Sequence, residues 1–230
     1  MIKIYNQDCI EGMKDCKDES FDVCITSPPY NLGNNHHTGN KRFEVYEDNV
    51  NENEYQQNQV KVLNELYRVI KKDGCVFYNH KNRIKNGFQI SPYEWIFKTK
   101  WKVKQEIVWV NRSQNFDKIR FYPFTERIYW LTKQNKTKFY NNVSLSDINY
   151  WKPVGTKAEH KRAFPLRLPT DLLKCFPKNI KVIDIYLGSG TTAIASHNLG
   201  CNFIGYEKDK NYFQIAQKRI DNNIRQLKIL

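Results

Sequence analysis

The chain has 230 residues, 40% of them hydrophobic and 14% aromatic, with a formal net charge of 37 − 24 = +13. That length suits one domain, or one domain with a small insert, and the apolar share is enough for a packed core, which excludes a disordered or fibrous chain. So large a positive excess favours polyanionic partners, because phosphate neutralisation supplies much of nucleic-acid affinity, although a merely soluble basic protein has the same composition. In chain order, residues 2–5 read as a short strand and 9–17 as a helix. Phe21 to Thr26 read as a buried strand, stopped by Pro28 and Pro29, which cannot donate to a ladder. Residues 31–50 lack periodicity and read as a loop. Over 52–72, Tyr55, Gln59, Leu63, Leu66 and Ile70 share one helical face, with Gly74 as the expected terminator. A strand is expected at 75–79, and Ser91-Pro92-Tyr93-Glu94 has the form of a helix start. Strands at 102–110 and 126–132 follow, then an irregular polar stretch over 135–165, then a short helix opened near Pro169. The sharpest unit closes the chain: strand Lys181–Asp184, a glycine loop to Gly190, a helix to Leu199, strand Asn202–Tyr206 and a helix from Asp209. Alternating strands and helices predict one α/β domain over 1–230, its sheet mostly parallel and covered by helices on both faces.

The six cysteines form no C-x-x-C pair, and several lie in apolar runs, so they read as reduced core residues of a cytoplasmic protein. His36, His37, His80, His160 and His197 are scattered, and no metal is expected. The N-terminus lacks the apolar run of a signal peptide, and no segment reaches the ~20 apolar residues of a membrane span.

Two loops carry the chemistry. In Asp184-Ile185-Tyr186-Leu187-Gly188-Ser189-Gly190-Thr191-Thr192, a strand runs through a glycine turn into a helix, and the next strand ends at Glu207-Lys208. Glycines let a ligand approach the backbone, and a carboxylate at the next strand end suits ribose hydroxyls. This predicts an adenosine-type cofactor, while a glycine loop alone also fits a tight turn in any α/β protein. No G-K-[ST] lysine follows, which disfavours a nucleotide-phosphate loop.

The second loop is Ser27-Pro28-Pro29-Tyr30, expected at the carboxyl edge of the sheet. Ser27 and the Pro28 carbonyl are acceptors, and the Tyr30 ring is a plate on which a base can stack, worth ~1–3 kcal/mol. Acceptors beside an aromatic plate can orient the lone pair of a weakly nucleophilic exocyclic amine. Alone, the turn also fits an ordinary proline loop; the glycine loop beside it favours the chemical reading.

The sequence resembles the β group of DNA amino-methyltransferases of bacterial restriction–modification systems. In that family a D/S/N-P-P-Y/F motif lies upstream of an F-x-G-x-G motif, as Ser27–Tyr30 lies upstream of Tyr186–Gly190. The likeness covers nearly the whole chain. Ile4 to Cys9 resembles the opening strand, whose acidic residue, here Asp8, would lie near the cofactor's adenine, with Cys9 beside it a cofactor-binding candidate. The run 65–74 resembles the segment after the catalytic loop, Glu106 to Trp109 a strand walling the base pocket, and His160 to Pro169 a segment closing over the methionine part. The chain departs from the family in Asp184-Ile185-Tyr186, where Asp-Pro-Phe is common, and in lacking a His-Pro dipeptide near His160. The resemblance implies a permuted, Rossmann-like S-adenosylmethionine-dependent methyltransferase fold with a small DNA-recognition insert at about 111–160. A serine at the first catalytic position usually accompanies N4-cytosine methylation, and an aspartate N6-adenine methylation, so cytosine is the expected target and adenine the alternative. The base is expected to flip into the site and react by direct displacement. No Pro-Cys dipeptide is present, which argues against methylation at cytosine C5.

Residues 81–138 hold fourteen Lys/Arg against four acids, a composition suited to a phosphate-binding face. Lys98, Lys100, Lys102 and Lys104 alternate, which on a strand puts them on one face. Arg112, Lys118 and Arg120 sit in an aromatic loop and, with Trp109, are candidates to contact DNA. The expected partner is double-stranded DNA, with a homodimer or a companion subunit compatible with so small an insert. Three rival functions are an RNA or protein methyltransferase, a non-catalytic DNA-binding protein that kept the fold, and a nicotinamide oxidoreductase. The order of the motifs disfavours the first, the two intact loops the second, and the charge with the Ser-Pro-Pro-Tyr turn the third.

Overall fold

The computed structural model describes residues 1–32, 49–112, 118–153 and 163–227. Among these, ten strands and six helices follow in the order β1 (Ile2–Tyr5), α1 (Cys9–Lys14), β2 (Phe21–Thr26), α2 (Glu52–Val69), β3 (Ile70–His80), β4 (Arg83–Lys85), β5 (Phe88–Ile90), α3 (Tyr93–Ile96), β6 (Lys102–Trp109), β7 (Glu126–Thr132), β8 (Ile148–Asn149), α4 (Arg167–Leu173), β9 (Lys181–Asp184), α5 (Thr191–Asn198), β10 (Asn202–Tyr206) and α6 (Lys210–Leu227).

Eight strands form one sheet in the order β1-β10-β9-β2-β3-β7-β6-β8, and β4 and β5 form a separate hairpin. From β1 to β3 every neighbouring pair is parallel; β7 then runs antiparallel to both β3 and β6, and β8 pairs parallel with β6. Burial follows this topology. Every residue of β2 is buried, as expected for a strand with helices over both sheet faces. One core holds Val23, Phe77, Val182 and Trp130 with α4, α5 and α6; the other holds Cys24, Val76, Tyr78 and Ile183 with α1, α2 and α3. The alternation of Val76, Phe77 and Tyr78 between the two cores is the period-2 pleat of a central strand.

The closing unit has the predicted strands, and the expected mostly parallel sheet is present. Gly74, however, terminates no helix. α2 ends at Val69 and the chain enters β3 at once, so Gly74 lies within that strand. A Cβ there would lie 2.6 Å from the Asp22 carbonyl, where the β2–β3 register shifts. Glycine serves close strand approach at that point rather than a helix cap. The Ser91 start is a capping pair, the Ser91 N–H donating to Glu94 (3.1 Å). The β4–β5 hairpin and β8 are further elements with no periodic signal in the sequence. Asn86 and Gly87, both at positive φ, turn the hairpin. All six cysteines are free. Among the described residues no helix is long and apolar enough to cross a membrane, and no group of His, Cys, Asp and Glu could hold a metal ion.

Candidate active site

Strands β2 and β9 are neighbours in the sheet although their last residues, Thr26 and Asp184, are 158 positions apart, and a hydrogen bond joins the two. Their carboxyl ends therefore deliver the Ser27–Tyr30 turn and the glycine loop to one stretch of sheet edge. Asp184 is the tie. Its carboxylate, 1% exposed, accepts from the Thr26 hydroxyl (2.8 Å), the Thr192 hydroxyl (2.7 Å) and the Tyr186 N–H (3.1 Å). Burial pushes its pKa up to about 6, against the pull of those three donors.

At the Ser27–Tyr30 turn, the Tyr30 hydroxyl donates to Glu126 Oε2 (2.8 Å), lies 2.8 Å from Ser27 Oγ and accepts from Asn79 Nδ2 (2.7 Å). Asn79 Nδ2 also faces Glu126 Oε2 (2.9 Å) and Ser27 Oγ (3.3 Å). Burial, and then the charge of Glu126, push the Tyr30 phenol well above its ordinary pKa, so it stays a donor. The Tyr30 ring rests on His80, centroids 4.6 Å apart. Tyr55 donates to the Pro29 carbonyl (2.7 Å) and lies 2.8 Å from His80 Nε2. The Pro29 carbonyl is thus occupied, while among the described residues none donates to the Pro28 carbonyl. Ser27, Pro29 and Tyr30 are only partly buried, so the turn opens to the surface.

The glycine loop is held in shape by left-handed backbone at Gly188 (φ 52°) and Gly190 (φ 81°), a region that favours glycine. A Cβ on Gly190 would also press to 3.2 Å on Ile220 of α6. Arg219 of the same helix donates to the Ser189 carbonyl and hydroxyl. Glu207, 2% exposed, accepts the Gly188 N–H and the Asp209 N–H at 2.8 Å each. β1 brings up the opposite wall. Asp8 caps α1 through the Ile10 N–H (2.9 Å) and lies 3.8 Å from the Lys208 ammonium. Cys9 is buried, its thiol pushed up to about 12 by burial and then by Asp8. Thr191 is buried at the start of α5. The fold therefore gathers Asp8, Cys9, Tyr186, Gly188, Ser189, Gly190, Thr191, Thr192, Glu207 and Lys208 around the carboxyl ends of β1, β10 and β9. Asp184 lies beneath them, its carboxylate spent on the two loops.

The DNA-contact candidates divide. Arg112, Lys118 and Arg120 are exposed on the β6–β7 loop, at the same sheet edge as Ser27, with Ile119 and Phe121 exposed among them. Trp109 lies apart from these exposed residues. It is 4% exposed, packed in the core, and its indole N–H donates to the Trp151 carbonyl (2.8 Å). The single lysine face is also corrected. β6 begins only at Lys102 and is bulged between Val103 and Gln105, so Lys98 and Lys100 lie before the strand. Lys98 donates to Gln56, and Lys104 to the Asn135 carbonyl. Lys102 pairs across from Thr132 and Trp109 from Glu126, which puts the lysine end of β6 roughly 20 Å from the sheet edge that carries Ser27 at the usual rise of a strand. His36, His37 and His160 lie outside the described residues.

The sequence reading missed Asn79, His80 and Glu126. A signal existed: Asn79 and His80 are the polar pair ending the apolar run from Cys75 to Tyr78, and Glu126 is the only acid between Lys118 and Thr132.

The comparisons with known proteins agree with this geometry. The N6_N4_Mtase family model, described as DNA methylase, matches residues 21–218. The chain is 26% identical to the type II methyltransferase M.HinfI of Haemophilus influenzae, over 94% of this chain and 67% of that protein. It is 26% identical to the type II methyltransferase M2.MboI of Moraxella bovis, over 95% and 87%. Its fold is similar to that of PvuII DNA methyltransferase (cytosine-N4-specific), with a TM-score of 0.77 at 17% identity over 97% of this chain and 91% of that one. The M1.HpyAVI–SAM complex gives a TM-score of 0.68 at 25% identity over 96% and 99%. With two thirds of its length and more under one family model, and both loops converging on one sheet edge, the chain belongs to the DNA methylase family of N6 and N4 amino-methyltransferases of restriction–modification systems.

Proposed function

We propose that this protein transfers a methyl group from S-adenosyl-L-methionine to the exocyclic N4 amino group of cytosine in a short site in double-stranded DNA. The observation that carries the reading is the pair of acceptors, Ser27 Oγ and the Pro28 carbonyl, held beside Tyr30 at the edge where the glycine loop also ends.

The residues present fit the cofactor. The left-handed backbone at Gly188 and Gly190 shapes the loop, and two carboxylates, Glu207 and Asp8, stand where a nucleoside's hydroxyl and amino groups need acceptors. Lys208, Cys9 and Tyr186 border the same space, and Ser189, Thr191 and Thr192 open α5 beneath it. When bound, S-adenosylmethionine supplies a methyl group activated by its sulfonium. Ser27 and the Pro28 carbonyl accept the two N–H bonds of the target amine and direct its lone pair outward. Tyr30, braced on His80, offers its ring to the flipped base. Most of the acceleration comes from this positioning.

Serine at the first position of the turn supports cytosine over adenine, as does the fold shared with a protein named as cytosine-N4-specific. Arg112, Lys118 and Arg120 contact phosphate, and residues 112–123 and 135–160, in a small insert at about 111–160 of the single domain, read sequence. A homodimer or a companion subunit extends that contact, and the reduced cysteines fit a cytoplasmic protein.

The test is to incubate the protein with methyl-labelled cofactor and unmethylated bacterial DNA and identify the labelled nucleoside by mass spectrometry. Label in N4-methylcytosine, lost in Ser27→Ala, is expected. Label in N6-methyladenine would overturn the choice of base, and no label with cofactor bound would overturn the activity.

A further inference from the structure

We propose that Glu126 is a positioning residue for methyl transfer: acting through Tyr30, it fixes the hydroxyl of Ser27 as an acceptor towards the target amine. The inference rests on the function proposed above. A serine hydroxyl can donate or accept, and only the acceptor serves an amine that must give up its N–H bonds to free its lone pair. What sets the choice is the chain of protons behind it.

Glu126 is an acceptor only, and three donors converge on it. Tyr30 and Asn79 meet Oε2 (2.8 and 2.9 Å), and Asn111 Nδ2 meets Oε1 (2.8 Å). The phenolic proton of Tyr30 therefore points at Glu126 and is unavailable to Ser27. At 2.8 Å, Ser27 and Tyr30 must share a proton, so Ser27 supplies it. Asn79 Nδ2 also approaches the phenol oxygen (2.7 Å), its two N–H bonds shared among Tyr30, Glu126 and Ser27. Ser27 Oγ then has its own proton turned inward and receives only a long contact from Asn79 (3.3 Å), leaving a lone pair for the substrate. Without the carboxylate, the Tyr30 proton can turn to Ser27, and the serine proton is displaced towards the target amine, setting donor against donor. Among the described residues no cation pairs with Glu126, so it is held by neutral donors.

The test is a double-mutant cycle of Glu126→Leu and Tyr30→Phe, read by single-turnover methyl transfer to DNA, with cofactor and DNA affinities measured alongside. Glutamine is avoided because Asn111 could turn its amide over and leave Tyr30 a donor. Glu126→Leu is expected to slow transfer by about 10- to 100-fold, the range for one misdirected hydrogen bond, with both affinities within about twofold of wild type. Added to Tyr30→Phe, which cuts the relay, it is expected to cost less than about twofold more. Independent, multiplying losses would overturn the proposal, as would a loss explained by weaker binding, since either is what a merely structural glutamate gives. Should the leucine variant not fold, Glu126→Ala in the same cycle decides. A wild-type protein that labels no DNA sinks the function itself; one that labels DNA beside an unimpaired Glu126→Leu sinks only the role of Glu126.

Discussion

The hydroxyl of Thr26, the last residue of the strand before the Ser27–Tyr30 turn, donates across 2.8 Å to the buried carboxylate of Asp184, the last residue of the strand before the glycine loop. One hydrogen bond thus couples the Ser27–Tyr30 turn to the glycine loop. Thr26→Val keeps the shape and removes the donor. It is expected to lower unfolding free energy by about 1–3 kcal/mol, because a buried acceptor loses a partner. Urea denaturation measures this, and an unchanged midpoint would contradict it.

The pKa of Asp184, near 6 when folded against 3.8 for the free side chain, gives stability a signed pH dependence. A carboxyl with a raised folded pKa binds its proton more tightly in the native state. The native state therefore gains stability as pH falls from about 6 to about 4, and the ionised group costs stability at pH 7. Thermal melts of wild type and Asp184→Asn across pH 4–7 should differ by a term that moves towards wild type as pH falls. A difference flat with pH would count against this.

His80 behaves oppositely. Its ring is fully buried among Tyr30, Tyr55, Tyr78 and Trp95, and burial, with Arg83 adding to it, pulls its pKa down to about 3. A base with a depressed folded pKa contributes stability above the unfolded value near 6.5 that is lost as pH falls towards 3. Imidazole nitrogen shifts by NMR should report a neutral ring at pH 5, and protonation near 6.5 would show the ring to be solvated.

Glu207 holds the Gly188 and Asp209 N–H groups at once. Glu207→Ala is expected to weaken S-adenosylmethionine binding by roughly 10- to 100-fold, the scale of a lost charge-assisted hydrogen bond, with DNA affinity unchanged. Calorimetry with cofactor alone checks it.

The basic residues at the two ends of β6 should separate in salt dependence. Each of Arg112→Ala, Lys118→Ala and Arg120→Ala is expected to reduce the slope of log K against log salt by about 0.9, the value for one phosphate contact, while Lys102→Ala and Lys104→Ala leave it unchanged. Equal losses from both groups would place DNA across the lysine end as well.

The sequence by itself determined the elements whose signals are local. The buried run of β2 stopped by prolines, the strand–glycine–helix passage at 181–199 and the strand leading to Glu207 are each written in consecutive residues. Local signals also misled, since Gly74 and the alternating lysines take their meaning from neighbours in space. Only the tertiary structure decided that Glu126 meets Tyr30, that Asn79 lies behind Ser27, that Asp184 serves the two loops and that Trp109 belongs to the core. Hydrogen bonds reach about 3 Å, and these partners are between 42 and 158 residues apart along the chain, Trp109 with Trp151 at the short end and Thr26 with Asp184 at the long. Strand pairing brings them together, and strand pairing leaves no periodicity in the sequence between them.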